Sequence, residues 1–323
     1  MPVVADFPAW FWFLVLTPFG LVWGSFLNVV IHRLPRGENV AYPPSRCPGC
    51  GANIAPYDNV PVLSYLLLRG RARCCGTKIS PRYPLIEALG GVLAAALVQL
   101  VLLELSPDTS ALRALGIFSL SFALGLALLA LAFIDLEYMI LPDSLTLGAG
   151  LLGLVSAGVR GTGFVNSAVG AAVGFAIIYL PFELLYSKLR GAPGMGRGDA
   201  KLAALAGAWF GAPGAVFALF AGACQATLVV LAVYFATGKL EEPEAVAQER
   251  AEFEAEYAAA EGEARAELER ERELDPMLRD AEEGLGQARV PFGPFLALAT
   301  LEFLLFERAI LAELFEPLKA LWS

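Results

Sequence analysis

Only one of the 323 residues is histidine, His32, and no His-Glu-x-x-His stretch occurs. Any site needing two or three imidazoles is thereby excluded, zinc metalloprotease chemistry with it. A serine–histidine arrangement would have to use His32, which lies beside Arg33, and the chain contains no Gly-x-Ser-x-Gly to pair with it. Charge is scarce too: 17% of residues are charged against 57% hydrophobic, with a mean hydropathy of +0.61. That is too apolar for a water-soluble globule, and the chain reads as an all-α polytopic membrane protein. There is no basic patch of the kind that binds nucleic acid, so no nucleic-acid partner is expected.

The net charge of −9 is misleading as a whole-chain figure. Residues 240–288 hold 17 acidic and 5 basic residues, a local balance of −12, which leaves about +3 for the rest. The start, Met1-Pro-Val-Val-Ala-Asp-Phe-Pro8, has no basic residue and leads into a long apolar run, so the first helix is expected to be retained rather than cleaved as a signal.

Ala9–Val30 is uncharged and long enough, at 1.5 Å per residue, to cross a hydrocarbon core of about 30 Å. Residues 31–84 then hold eight Lys or Arg against Glu38 and Asp58. By the positive-inside rule this loop is cytoplasmic and the N-terminus is outside. Further spans are expected at 85–105, 112–134, from after Asp143 to about 159, and 164–185, two more between 200 and 236 divided at Phe210-Gly-Ala-Pro213, and a last from about 290 to 306. The count is about eight. The expected organisation is a first span (1–30), a Cys-containing cytoplasmic domain (31–84), a membrane core (85–238), an acidic helical cytoplasmic insert (239–289), and a last span with its tail (290–323). In the insert, Phe253, Tyr257, Ala260, Ala264 and Leu268 form a thin apolar stripe at helical spacing, enough for a weak hairpin or a partner contact, although a solvated charged helix with i,i+4 Glu–Arg pairs would show the same sparse stripe.

Two acids stand where long apolar runs meet short polar ones: Asp135, after Ile134, and Asp199, which closes Gly194-Met-Gly-Arg-Gly-Asp199. Charge at a membrane helix end is costly and usually functional. Gly196 and Gly198, without Cβ atoms, let the backbone turn tightly and let another chain approach the acid. A lone Gly-x-Gly-Asp is equally a helix–helix turn with a capping aspartate. The second acid shifts that balance, because the expected topology places both on one membrane face. Two neighbouring carboxyls share a proton, so one serves as general acid while the other activates water. A transporter or proton channel using the same carboxylates is the rival reading.

Five cysteines form an odd set, with Cys47, Cys50, Cys74 and Cys75 clustered in the basic loop and Cys224 within an apolar run. Cys47-Pro-Gly-Cys50 is the knuckle spacing that closes on Zn²⁺. The adjacent pair Cys74-Cys75 is less regular, since neighbouring side chains are expected to point apart. Four-sulfur zinc ligation, three ligands, a vicinal pair and no metal all stay open.

Gly24-Ser-Phe-Leu-Asn-Val-Val-Ile-His-Arg-Leu-Pro35, Cys47-Pro-Gly-Cys50, Asp58-Asn-Val-Pro61, Leu68-Arg-Gly70, Ile79-Ser-Pro-Arg-Tyr-Pro84 with Glu87, Ile134-Asp135, Gly196-Arg-Gly-Asp199 with Lys201, and Pro291-Phe-Gly-Pro-Phe295 occur in order. Together they resemble the type IV prepilin leader peptidases, over the whole chain apart from 239–289. The resemblance implies a bifunctional inner-membrane enzyme. As a Gly-x-Gly-Asp aspartyl peptidase it removes the basic leader of prepilins or pseudopilins at the cytoplasmic membrane face, and it then methylates the new N-terminus with S-adenosylmethionine. It implies Asp135 and Asp199 as the catalytic pair, membrane lipids as surroundings and no cofactor for the peptidase step. In the family two Cys-x-x-Cys pairs occupy the cytoplasmic domain and are tied to methylation; here Ala72 stands where the third cysteine is expected.

Overall fold

The computed structural model describes residues 2–190, 196–238, 244–274 and 290–317. Among these the regular structure is helical, and there is no strand. In order the α-helices are α1 (Ala9–Arg33), α2 (Leu63–Leu67), α3 (Arg82–Leu97), α4 (Ala111–Tyr138), α5 (Asp143–Arg160), α6 (Phe164–Ile178), α7 (Tyr186–Arg190), α8 (Arg197–Thr237), α9 (Glu244–Ala259), α10 (Gly262–Leu274) and α11 (Gly293–Ile310). Wider π-type turns extend α3 to Leu102, α6 to Leu185 and α11 to Phe315.

Five helices are long and apolar enough to cross a membrane: Ala9–Arg33, Arg82–Leu102, Ala111–Tyr138, Phe164–Leu185 and Arg197–Thr237. The chain is an integral membrane protein. The last of the five is broken at Gly211, with φ 71° and ψ −170°, and Pro213 follows. Only glycine adopts that backbone readily, and the proline ring cannot continue the preceding ladder, so the helix is broken within the Phe210–Pro213 stretch at which the sequence divides the run. The halves of α8, together with α5 and α11 of 18 residues each, occupy the other stretches read as spans, although α5 and α11 fall outside the five.

The chain divides into two compact units. The first comprises residues 1–130, 155–164 and 301–323. Its centre is the pairing of α1 with α3, whose backbones nearly touch: a Cβ on Gly20 would lie 2.5 Å from the carbonyl oxygen of Gly90, and one on Gly90 the same distance from that of Gly20. Lipid is as apolar as leucine, so membrane helices gain association from close van der Waals packing of this kind rather than from water exclusion. The Glu87 carboxylate is satisfied within the unit, accepting from Ser25 Oγ at 2.8 Å and from the Val62 backbone N–H at 2.7 Å. It thereby ties the 31–84 loop to both helices. Inside that loop, Arg73 grips Asp58 through Nε and Nη2 at 2.8–3.0 Å.

The second unit comprises residues 131–154 and 165–300. Here α6 lies against the first half of α8, with Gly170 and Gly207 set so that either Cβ would collide with the other's carbonyl oxygen. Trp209 is fully buried and donates from Nε1 to the Ala149 carbonyl at 2.8 Å, fixing α5 beside α8. The acidic insert contributes α9 and α10, which form a hairpin: Phe253 is buried, the Arg265 guanidinium lies 4.9 Å from the Tyr257 ring centroid, and Arg272 pairs with Glu254 at 3.2 Å. The thin stripe thus supports a hairpin held as much by cation–π and ionic contacts as by apolar area.

Candidate active site

Asp135 belongs to the last turn of α4. Its side chain lies on the buried face continued by Leu128, Leu131 and Ile134, and only 5% of the residue is exposed. Met139, just past the helix, takes φ 52° while its N–H still reaches the Asp135 carbonyl at 2.9 Å. The chain turns there into Leu141-Pro142-Asp143 and α5.

Asp199 is the third residue of α8, with Gly196 as N-cap at φ −65° and ψ 145°. That position looks back over the helix start, where free N–H groups and the helix dipole favour a carboxylate. Its carboxylate accepts the Gly196 backbone N–H. Asp199 is half-buried.

The two carboxyls lie within Coulombic reach of each other. Both belong to the second unit, so the structure brings the two acids singled out in the sequence into one neighbourhood. A third segment completes it. The backbone N–H of Gly293, first residue of α11, donates to the Asp135 carboxylate, and a Cβ at 293 would lie 2.6 Å from Asp135 Oδ2. Leu141 packs between these strands of chain: Cβ atoms at Gly198 and Gly293 would each meet its side chain at 3.1 Å. Gly198 is therefore a point of close approach to Leu141, whereas Gly196 supplies a backbone donor.

Lys201, one half-turn beyond Asp199, forms an ion pair with Asp143 at the start of α5. Arg197 pairs with Glu183 at 2.9 Å. Two ionic ties thus hold the beginning of α8, one to α5 and one to the extension of α6. The motifs around Leu141, Asp143, Lys201 and Gly293 are visible in the sequence, but their roles as supports are not, because each role depends on a partner far away in the chain.

The four clustered cysteines form a second site, within the first unit. All four Sγ atoms lie within 4.8 Å of one another, with Cys47–Cys75 at 3.6 Å, Cys50–Cys74 at 3.3 Å and Cys74–Cys75 at 3.9 Å. Four sulfurs placed tetrahedrally about 2.3 Å from a zinc ion are about 3.8 Å apart, so the donor set and its spacing fit such an ion. Cys74 and Cys75 do not point apart as expected. The reason lies in two matching turns. Cys47 N–H bonds to Ala52 O and Gly51 N–H to Cys47 O at 2.8 and 2.9 Å, while Ala72 N–H bonds to Thr77 O and Gly76 N–H to Ala72 O, both at 2.8 Å. Gly51 and Gly76 share φ near 71°. Ala72 thus occupies the first-cysteine position of the second turn, and Cys74, at the position of Gly49, supplies the missing sulfur from the crest. Hydrogen bonding to Cys50 pushes the Cys74 thiol up to about 12, whereas bonds from the Thr77 hydroxyl and backbone N–H pull Cys75 down to about 6. Cys224 lies exposed on α8 and is not one of the four.

Residues 19–101 match the bacterial peptidase A24 N-terminal domain, and residues 122–231 match the type IV leader peptidase family. A Klebsiella pneumoniae protein named prepilin leader peptidase/N-methyltransferase is 42% identical over 217 residues, covering 64% of this chain and 88% of its own length. Proteins of the same name from Burkholderia pseudomallei and Myxococcus xanthus are each 40% identical, covering 59% and 68% of this chain and 67% and 62% of their own lengths. The chain belongs to the type IV leader peptidase family. No solved structure matches it. The segment matching the peptidase A24 N-terminal domain contains all four clustered cysteines, and the segment matching the leader peptidases contains Asp135 and Asp199. The insert and Gly293 lie outside both. These relatives give no support to the transporter or proton-channel reading.

Proposed function

We propose that this leader peptidase relative is a membrane-embedded aspartyl endopeptidase that removes the basic leader of a type IV prepilin or pseudopilin, with Asp135 and Asp199 as its catalytic pair. The observation that carries this is the meeting of the two acids in one unit, each carboxylate held by a backbone N–H, from Gly293 and from Gly196. In this mechanism the interacting pair shares one proton. The ionised member takes a proton from a water between them as that water attacks the scissile carbonyl. The protonated member donates toward the carbonyl oxygen, and the leaving amine takes a proton as the C–N bond breaks. A prepilin suits the position: its basic leader stays in the cytoplasm and its apolar helix in the bilayer, so the bond to be cut lies at the interface. We place the protein in the inner membrane with eight crossings, the N-terminus outside and both acids toward the cytoplasm.

Methylation of the new N-terminal amine belongs to the same proposal, with S-adenosylmethionine as methyl donor; the resemblance and the relatives' names support it. Cys47, Cys50, Cys74 and Cys75 would hold Zn²⁺, which when bound would cross-link the two turns of the 31–84 domain. Four protein ligands leave no open coordination position, so the role is structural.

The test is direct. The purified full chain in lipid is given a peptide with a basic leader ending in Gly, then Phe or Met and an apolar helix, and products are read by mass. Cleavage after the Gly supports the proposal, and transfer of one methyl group to the new amine when S-adenosylmethionine is added supports its second part. An intact substrate would overturn it.

A further inference from the structure

We infer that α2 of the cytoplasmic domain is an interfacial membrane anchor, seated on the bilayer beside the cytoplasmic end of α3. Its polarity is inverted. Ser64 is buried, accepting from the Val60 N–H and donating to the Tyr57 carbonyl, both at 3.0 Å, and the Tyr65 ring is turned back against Gly70. The leucines face outward instead, with Leu63, Leu66 and Leu67 exposed by 52%, 64% and 74%. A short helix that buries its serine and presents three leucines to water is unfavourable, since removing apolar surface from water is what stabilises a packed helix.

The depth of α2 identifies what covers it. The Val62 N–H, immediately before α2, is bonded to the Glu87 carboxylate, which also holds Ser25 of α1. Glu87 is five residues into α3, about 7.5 Å along the helix axis at 1.5 Å per residue. Since α3 and its extension, Arg82–Leu102, form one of the crossing helices, α2 starts level with the region between headgroups and acyl chains. Amphipathic anchors lie at that depth. Exposed Arg69, Arg71 and Lys78 follow closely in the chain, suited to lipid phosphates at the same level. Because the loop is tethered to the membrane at both ends, association needs little intrinsic affinity.

The experiment uses the full chain in phosphatidylethanolamine/phosphatidylglycerol vesicles containing a radiolabelled acyl chain, with p-benzoylphenylalanine at position 67 and, separately, at 66. The same group at Val92, an exposed position of α3, is the lipid-facing reference. After irradiation, labelled phospholipid attached at 66 or 67 to the extent found at 92 supports the inference. Label at 92 with none at 66 and 67 overturns it, including the case in which 67 cross-links to a protein in native membranes. Arg69→Gln with Arg71→Gln should lower the yield at 67 in these vesicles but not in phosphatidylcholine alone. An equal yield in both would overturn the electrostatic part. None of these readouts depends on peptidase activity.

Discussion

The backbone N–H of Gly293 donates to the Asp135 carboxylate, and the space a side chain would need at 293 is already taken by Asp135 Oδ2, 2.6 Å from the Cβ position. Gly293→Ala should therefore displace the carboxylate and Leu141 together. A shift of about 1 Å at a reacting group can cost on the order of 100-fold in rate. The expected outcome is a kcat reduced by about that factor in protein that inserts and purifies normally, checked by cleavage kinetics. Unchanged kcat would show that the contact does not position the acid.

The Asp143–Lys201 pair should act on rate rather than on stability. Both residues are partly exposed, so Lys201→Met should change unfolding stability by less than about 1 kcal/mol. By loosening the start of α8 it should lower kcat by roughly tenfold with KM little changed. The exchange Asp143→Lys with Lys201→Asp should recover part of the loss. Failure of the exchange to recover any, with the fold intact, would assign Lys201 a role other than pairing with Asp143.

How much of this was legible in the sequence depends on distance along the chain. The acids stand out because each interrupts an apolar run, and the break in α8 because Gly211 and Pro213 are local instructions. The supports of the acids are not legible: nothing near Gly293 says that its N–H faces Asp135, and Leu141 reads as one more leucine. The cysteine site fails differently. Adjacent thiols were expected to diverge, and the turn that gathers them rests on hydrogen bonds from Ala72 and Gly76, residues with no side-chain chemistry to announce them.

That turn yields its own prediction. Zinc should be present in stoichiometric amount in freshly purified protein and absent from Cys47→Ser with Cys50→Ser, which should still cleave the leader, though less stably folded. Ala72→Cys combined with Cys74→Ala moves the sulfur back to the first position of the turn and should keep the metal. Elemental analysis of the three proteins decides, and wild type without metal would remove the ligation proposal.

For the acidic insert, α9 and α10 pack on each other, and residues 240–288 carry a net charge of −12. Replacing 241–283 by a short Gly-Ser bridge should leave kcat nearly unchanged, because both acids and their helices are retained. Attraction of a basic leader would be screened over a Debye length of about 8 Å at physiological salt. If it contributes, the deletion lowers kcat/KM at low salt and the gap closes as salt rises. An equal kcat/KM across the series makes the insert a spacer, and a collapse of kcat would contradict its independence from the dyad.

The central claim rests on two carboxyls, and the most direct measurement removes them one at a time. Asp135→Asn and Asp199→Asn replace an acid by an amide that can neither donate an acidic proton nor accept one as base. In purified protein, reconstituted and inserted like wild type, each should reduce leader cleavage to the background of the uncatalysed reaction. Cleavage by either variant at a substantial fraction of the wild-type rate would contradict the account.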